Sequence, residues 1–297
     1  LLNGSPGSSG APGDGLAPTF RRPATLDEAL GLLADGGSTV IAGCTLYYLD
    51  GDSRPLTDRL IDITGLAALK DIAVTADHVR LGACVTWSQV ADAALPAEVR
   101  PLQQAARRIG ALQIQNVGTL GGNICGASAN ADGIPPLLIA DATVELRAAG
   151  RSRTLPLADF LRGHRQTARA PDELLTAIIV PRVPHAQAGV FLKLSRRAYQ
   201  GLASVSVAAR LGRERDGRIA SAAVAVGTCS AVAQRLPLLE RRLESAPADA
   251  ALPALFDPAA DLACLTPATD MMATADYRRE AVATLVRRAL QTVQRSV

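Results

Sequence analysis

The stretch from Ile109 to Asp132 constrains this chain more than any other. Gly118, Gly121, Gly122 and Gly126 lie close together, interleaved with Thr119, Asn123 and Ser128 and ended by Asp132. So many glycines make a poor helix interior, and so many polar side chains make a poor core strand. The run therefore predicts a long loop. Glycines let backbone N–H groups approach an anion closely, and Thr, Asn and Ser add short neutral hydrogen-bonding groups. That chemistry suits wrapping around something phosphorylated, with Asp132 free to accept from a sugar hydroxyl. The plainer reading is a glycine-rich surface loop with no ligand.

Size and composition narrow the alternatives. A chain of 297 residues can bury more than one core, so two or three subdomains are expected. Hydrophobic residues make up 48% and charged residues 20%, the profile of a globular protein with a soluble surface. Aromatics are only 3%, so the core must be aliphatic. A net charge of +3 gives no support for nucleic-acid binding. Cys44, Cys84, Cys125, Cys229 and Cys264 are dispersed, with no Cys-x-x-Cys pair to hold a zinc ion or an iron–sulfur cluster. Scattered thiols fit structural roles in a reducing cytoplasm. His78, His164 and His185 share no helical spacing, which argues against a histidine metal site. No apolar run reaches the roughly 18–20 residues that span a bilayer. Residues 1–18, rich in Gly, Ser and Pro, read as a flexible tail and not as a secretory signal.

Order is expected from about Phe20. Thr25 with Glu28 forms a capping box, Leu26, Leu30 and Leu33 supply an apolar stripe, and Gly36-Gly37 stops the helix. Strands are predicted at 38–42, 60–63, 78–82, 143–148 and 175–180. Thr86 with Gln89 opens a helix to about Ala94, a second helix covers 97–109, and Pro135-Pro136 starts a third. The two prolines between Pro181 and Gly189 mark a domain boundary. Beyond it, strands at 191–196, 204–211 and 219–226 suggest an antiparallel sheet, and 277–294 reads as an amphipathic helix. The pattern is α+β.

A second glycine turn, Ile41-Ala42-Gly43-Cys44-Thr45, follows the strand at 38–42. By itself it fits either an ordinary tight turn or a phosphate contact. No Gly-Lys-Ser/Thr follows, and the Gly-x-Gly-x-x-Gly spacing is absent, so neither a Walker loop nor a Rossmann unit is supported. Two separated loops of this kind suit a dinucleotide whose diphosphate lies between two subdomains.

The run Gln113-Ile-Gln-Asn-Val-Gly-Thr-Leu-Gly-Gly-Asn-Ile-Cys-Gly-Ala-Ser-Ala-Asn-Ala-Asp-Gly-Ile-Pro-Pro-Leu-Leu resembles the second flavin loop of the FAD-binding (medium) subunits of molybdenum hydroxylases, the xanthine dehydrogenase and carbon monoxide dehydrogenase type. Ala42-Gly-Cys-Thr is similar to the family's first loop. Pro171-Asp-Glu-Leu-Leu-Thr-Ala-Ile-Ile-Val-Pro and Phe191-Leu-Lys-Leu-Ser-Arg-Arg resemble further landmarks in the family's order. The resemblance covers roughly residues 19 to 290.

It implies a two-part FAD-binding domain of the PCMH type, with subdomains at 19–70 and 71–183, and a C-terminal α+β domain with an antiparallel sheet at 184–297. By matching position, Ala42, Gly43, Cys44, Thr45 and Leu46 with Gly118, Thr119, Gly121, Gly122 and Asn123 would hold the pyrophosphate and ribityl parts. Ser128 and Asp132 would serve the adenosine side or its neighbouring phosphate. Lys193 would place its charge near the flavin pyrimidine ring, where a cation favours the anionic reduced form; a solvated strand lysine is the alternative. Tyr199 is a candidate for covering the isoalloxazine or the adenine, with core packing or a surface position as the plainer reading. Cys44 stands where the family has glycine, Leu46 where it has Asp or Ser, and Ala129-Asn130 where Pro-Ala is common; these departures bear on FAD affinity.

The resemblance further implies a molybdenum cofactor on a large partner subunit and 2Fe–2S clusters on a small one, in a dimer of heterotrimers in the cytoplasm. Electrons would reach the FAD singly and leave in pairs for NAD+, a quinone or oxygen. No catalytic nucleophile or base is called for. The rivals are a stand-alone flavin oxidase or dehydrogenase and a non-catalytic assembly module that has lost FAD.

Overall fold

The computed structural model describes residues 19–47, 59–183, 186–197, 201–247 and 250–296. Tyr199, His185 and the tail at 1–18 lie outside the described residues. The chain opens with β1 (Thr19–Arg21), α1 (Leu26–Ala34), β2 (Ser38–Ile41) and β3 (Arg59–Asp62), and the three strands form a parallel sheet in the order β1-β3-β2. Thr25 caps α1 by accepting from the Glu28 amide at 3.2 Å. Ala29, Leu30 and Leu33 are buried against Ile61 and Ile63 of the β3 segment. Gly36 (φ 74°) and Gly37 (φ 66°) then turn the chain into β2 through left-handed geometry that suits glycine.

The middle of the chain continues with β4 (Ile72–Val74), β5 (His78–Gly82), α2 (Trp87–Asp92), α3 (Arg100–Ala106), α4 (Leu112–Val117), α5 (Leu120–Gly126), α6 (Ile134–Ile139), β6 (Thr143–Ala148), β7 (Arg151–Pro156), α7 (Leu157–Phe160), β8 (Leu161–Gly163), β9 (Gln166–Thr167) and β10 (Leu174–Pro181). A five-stranded antiparallel sheet has the order β4-β5-β10-β6-β7. Its inward residues Val79, Leu81, Val144, Leu146 and Ile178 join the apolar sides of α2, α3, α5 and α6 in one core.

The last part holds β11 (Ala186–Ser195), β12 (Ala203–Arg213), β13 (Ile219–Gly227), β14 (Gln234–Arg235), α8 (Pro237–Glu244), α9 (Pro258–Asp261) and α10 (Ala275–Gln294). Its sheet is antiparallel in the order β11-β12-β13-β14. β12 is buried along nearly its whole length because both faces are covered. Ala208, Ala223 and Ala225 join the core of α3 and α6, while Val207, Ala209 and Val224 pack with Val282, Val286 and Leu290 of α10. Small alanines on the first face let the helices of the middle segment lie close to the sheet.

The glycine-rich run is not a loop, contrary to the expectation from its composition. It folds as two short helices, α4 and α5, joined at Gly118-Thr119. The helical cost of glycine is outweighed by packing: a Cβ on Gly121 would stand 2.8 Å from both Cβ and O of Ala83. Thr119 caps α5 by accepting from the Gly122 amide at 3.2 Å. Edge elements with weak sequence patterns, β1, β4 and β7, also lie outside the predicted strands.

Candidate functional site

β2 delivers the first glycine turn directly onto the second. A Cβ on Gly43 would fall 2.6 Å from the Val117 carbonyl carbon and 3.0 Å from Gly118 Cα, so only glycine permits this approach. Cys44 adopts φ 57°, a left-handed conformation that favours glycine, and its thiol donates to the Ala42 carbonyl at 3.3 Å. Among the described residues, no hydrogen bond engages the amides of Gly43, Cys44, Thr45 or Leu46. Leu46 reaches across to lie against Gly126 at the end of α5.

The second turn is arranged differently. Gly118 N–H donates to Ile114 O at 2.7 Å, Leu120 N–H to Val85 O at 3.0 Å, Gly121 N–H to Ala83 O at 2.8 Å and Asn123 N–H to Thr119 O at 3.1 Å. With Gly122 bonded to Thr119 Oγ1, the amides from Gly118 to Asn123 that the sequence offered to a phosphate are largely used inside the fold. The unengaged donors belong to the first turn, and the second is the surface on which it rests.

A buried polar seam runs from α5 to the C-terminal sheet. Asp132 Oδ2 accepts from Lys193 Nζ at 2.6 Å, with both side chains almost fully buried, and Lys193 Nζ also donates to Arg108 O at 3.0 Å. Burial pushes the Asp132 carboxyl above its usual range, against the downward pull of Lys193 and Arg108. Sequence matching assigned Asp132 to the adenosine side and Lys193 to the flavin ring; the structure joins them in one ion pair. Ser128 Oγ accepts from the Asn130 amide at 3.3 Å and shapes the loop before Asp132.

Among the described residues, three buried oxygens in this region lack hydrogen-bond partners: Asn123 Oδ1, Asp132 Oδ1 and Thr228 Oγ1. Two of them are pure acceptors, and a buried acceptor without a donor is costly. In chemistry, such acceptors match a ligand that offers hydroxyl or N–H donors, such as a sugar or a polyol chain. Thr228 was not identified from the sequence. It holds φ 71°, unusual for a β-branched residue, while its amide donates to Ala129 O at 3.0 Å. Its only sequence signal is Gly227-Thr228 directly after a strand. Trp87, also unassigned, is 2% exposed and lies between Gly118 and Gly133.

A cavity of about 670 Å³ lies elsewhere, between α1 and the β6–β7 hairpin, and is lined by Asp27, Leu30, Arg80, Glu145, Arg147 and Arg151. Among the described residues, no cluster of His, Cys, Asp and Glu could hold a metal ion. No helix among them is long and apolar enough to cross a membrane.

Comparisons with known proteins identify the family and the fold. Residues 16–183 match the model of the FAD binding domain in molybdopterin dehydrogenase, and residues 190–293 match the CO dehydrogenase flavoprotein C-terminal domain. The nicotinate dehydrogenase FAD-subunit of Eubacterium barkeri is 36% identical over 186 residues, which cover 60% of this chain and 63% of that relative. The xanthine dehydrogenase FAD-binding subunit of Escherichia coli O157:H7 is 30% identical over 77% of this chain and 80% of its own length. In fold, the chain is similar to a chain of reconstituted CO dehydrogenase from Oligotropha carboxidovorans, with a TM-score of 0.85, 24% identity and coverage of 95% and 99%.

Proposed function

This chain belongs to the family of FAD-binding proteins of molybdopterin dehydrogenases, and from that premise we propose that it is the FAD-carrying electron-transfer subunit of a multi-subunit molybdenum hydroxylase. FAD, when bound, supplies the capacity to take up electrons one at a time and release them as pairs. The chain's own residues bind and orient it. The amides at Gly43–Leu46, unengaged among the described residues, supply neutral donors for the diphosphate, each bond to a charged oxygen contributing about 1.5–3 kcal/mol. Val117 and Gly118 form the close-packed base beneath that turn, and Thr119, Gly121 and Gly122 open the helix that follows it. Asn123 and Asp132, with their buried unpaired oxygens, receive hydroxyl or N–H donors. Ser128 fixes the loop that carries Asp132, and Lys193 holds the Asp132 carboxylate in place.

On this reading the division into 19–70, 71–183 and 184–297 separates two cofactor-binding pieces from a C-terminal domain that closes over them. Substrate is oxidised at a molybdenum cofactor on a large subunit, and electrons arrive through 2Fe–2S clusters on a small one. They leave for NAD+, a quinone or oxygen. The assembly is a dimer of heterotrimers in the cytoplasm.

The observation that carries the proposal is the contact of Gly43 with Val117-Gly118, which brings the two glycine turns together. The purified chain is expected to show the visible flavin spectrum, or to gain it with about one FAD per chain on reconstitution. A colourless chain that takes up no added FAD overturns the proposal.

A further inference from the structure

Gly118 and Gly133 stand at the two ends of the glycine-rich run, and neither is glycine for the sake of its backbone. Gly118 has φ −64° and ψ 134°, and Gly133 has φ −75° and ψ −20°, conformations open to any residue. Space is what excludes a side chain at both. A Cβ on Gly133 would stand 2.5 Å from Cη2 of Trp87 and 2.8 Å from Oδ1 of Asn123. A Cβ on Gly118 would stand 2.8 Å from Ile114 O and 3.2 Å from Cδ1 of Trp87. The five-membered ring of one buried indole therefore abuts Gly118, and the far edge of its six-membered ring abuts Gly133.

The indole is itself firmly held. Trp87 occupies the first position of α2, where Thr86 and Gln89 close a capping box. Its amide donates to Gly118 O at 3.2 Å, while Leu120 N–H donates to Val85 O at 3.0 Å and Gly121 N–H to Ala83 O at 2.8 Å. Residues 83–87 are thus fastened along the turn whose end the indole touches. Asn123 Oδ1, by contrast, is buried with no hydrogen bond among the described residues, so packing around Gly133 is what places it. Interiors packed this closely transmit a displacement and do not absorb it.

We propose that Trp87 is a positioning residue for the cofactor: its indole is the spacer that sets the Gly118 turn relative to Gly133 and Asn123. The proposal rests on the FAD-subunit reading above. It adds a residue that acts through Gly118, which supports the first glycine turn, and through Asn123, which receives donors of the cofactor. Phenylalanine at this position keeps an aromatic ring in the core but lacks the far edge that reaches Gly133.

The test titrates FAD into the purified chain freed of flavin and follows the flavin absorbance. Trp87→Phe is expected to weaken FAD binding at least ten-fold. Gly133→Ala, which drives a methyl group into the indole edge, is expected to weaken it at least ten-fold as well. In the double variant the shorter ring leaves room for that methyl group. The double variant is therefore expected to bind FAD at least three-fold more tightly than Gly133→Ala alone. Val79→Ala, in the same apolar core at the start of β5, is the control; its thermal midpoint is expected to fall while its FAD affinity stays within two-fold of wild type. A change of less than two-fold in Trp87→Phe overturns the proposal, and so does a double variant whose loss is the product of the two single losses. Gly133→Ala retains the indole and reads the contact independently of how the Trp87 variants fold; unchanged FAD affinity there overturns the spacer. Equal loss of affinity in Val79→Ala overturns it too, because general loosening of the core then accounts for the effect. Failure of the functional reading shows separately, as a wild-type chain that takes up no FAD.

Discussion

Asp132 and Lys193 meet at 2.6 Å with almost no access to water, and each is costly to bury without the other. Lys193→Met removes the partner and leaves the Asp132 carboxylate stranded among apolar groups. At neutral pH the variant is expected to lose about 3–5 kcal/mol in urea unfolding. The loss is smaller in Lys193→Met/Asp132→Asn, because the second substitution removes the uncompensated charge. The pH dependence has a definite sign. Burial already raises the folded-state pKa of Asp132 above its ordinary value, and loss of Lys193 raises it further. A group with a raised folded pKa contributes stability below its unfolded pKa that disappears as pH rises through the folded one. The cost of Lys193→Met is therefore small in acid and grows with pH. A cost that is the same across this range excludes the uncompensated carboxylate as its cause.

The contact between β2's turn and α4 gives one chemical change opposite effects at two glycines. Gly43→Ala drives a methyl group into the Val117 carbonyl and separates the two turns. It is expected to destabilise the chain by about 1–3 kcal/mol and to weaken FAD binding at least ten-fold in a flavin titration. Gly31→Ala, in the middle of α1 with open space around the new methyl, is expected to stabilise by about 0.5–1 kcal/mol. Unchanged FAD affinity in Gly43→Ala means that the two turns do not form one site. Elements with strong local signals were legible in the sequence: the Thr25 and Thr86 caps, the strand His78–Gly82 and the apolar stripe of α10 all lie where composition and spacing put them. The helical state of the glycine run was not legible, because it depends on the close approach of Ala83, far away in sequence. For the same reason Thr228 escaped notice, since its backbone strain and unpaired hydroxyl exist only once β13 meets the loop at Ala129. The pairing of Asp132 with Lys193 likewise needed the fold to bring the two together.

Across the whole molecule, the middle and C-terminal portions are joined by an apolar face, by the Asp132–Lys193 pair and by an ion cluster around Asp141. Asp141, just after α6, accepts from Arg210 of β12 at 2.8 Å and from Arg235 of β14 at 2.6 Å, and Arg235 also pairs with Glu240 of α8. Asp141→Ala leaves the largely buried Arg210 without this carboxylate and places alanine at φ 50°, which Asp tolerates better. The expected loss is about 2–4 kcal/mol, with a broader thermal transition as the two portions begin to unfold separately. An unaltered, equally sharp transition shows that the Asp141 cluster is not what holds them together. The same arrangement has a practical consequence at Trp87, the only indole in the chain. It lies between Gly118 and Gly133, directly behind the helix that supports the first glycine turn. Its fluorescence overlaps flavin absorption, so cofactor entry will dim it by energy transfer, and the chain carries an intrinsic optical gauge of its own occupancy.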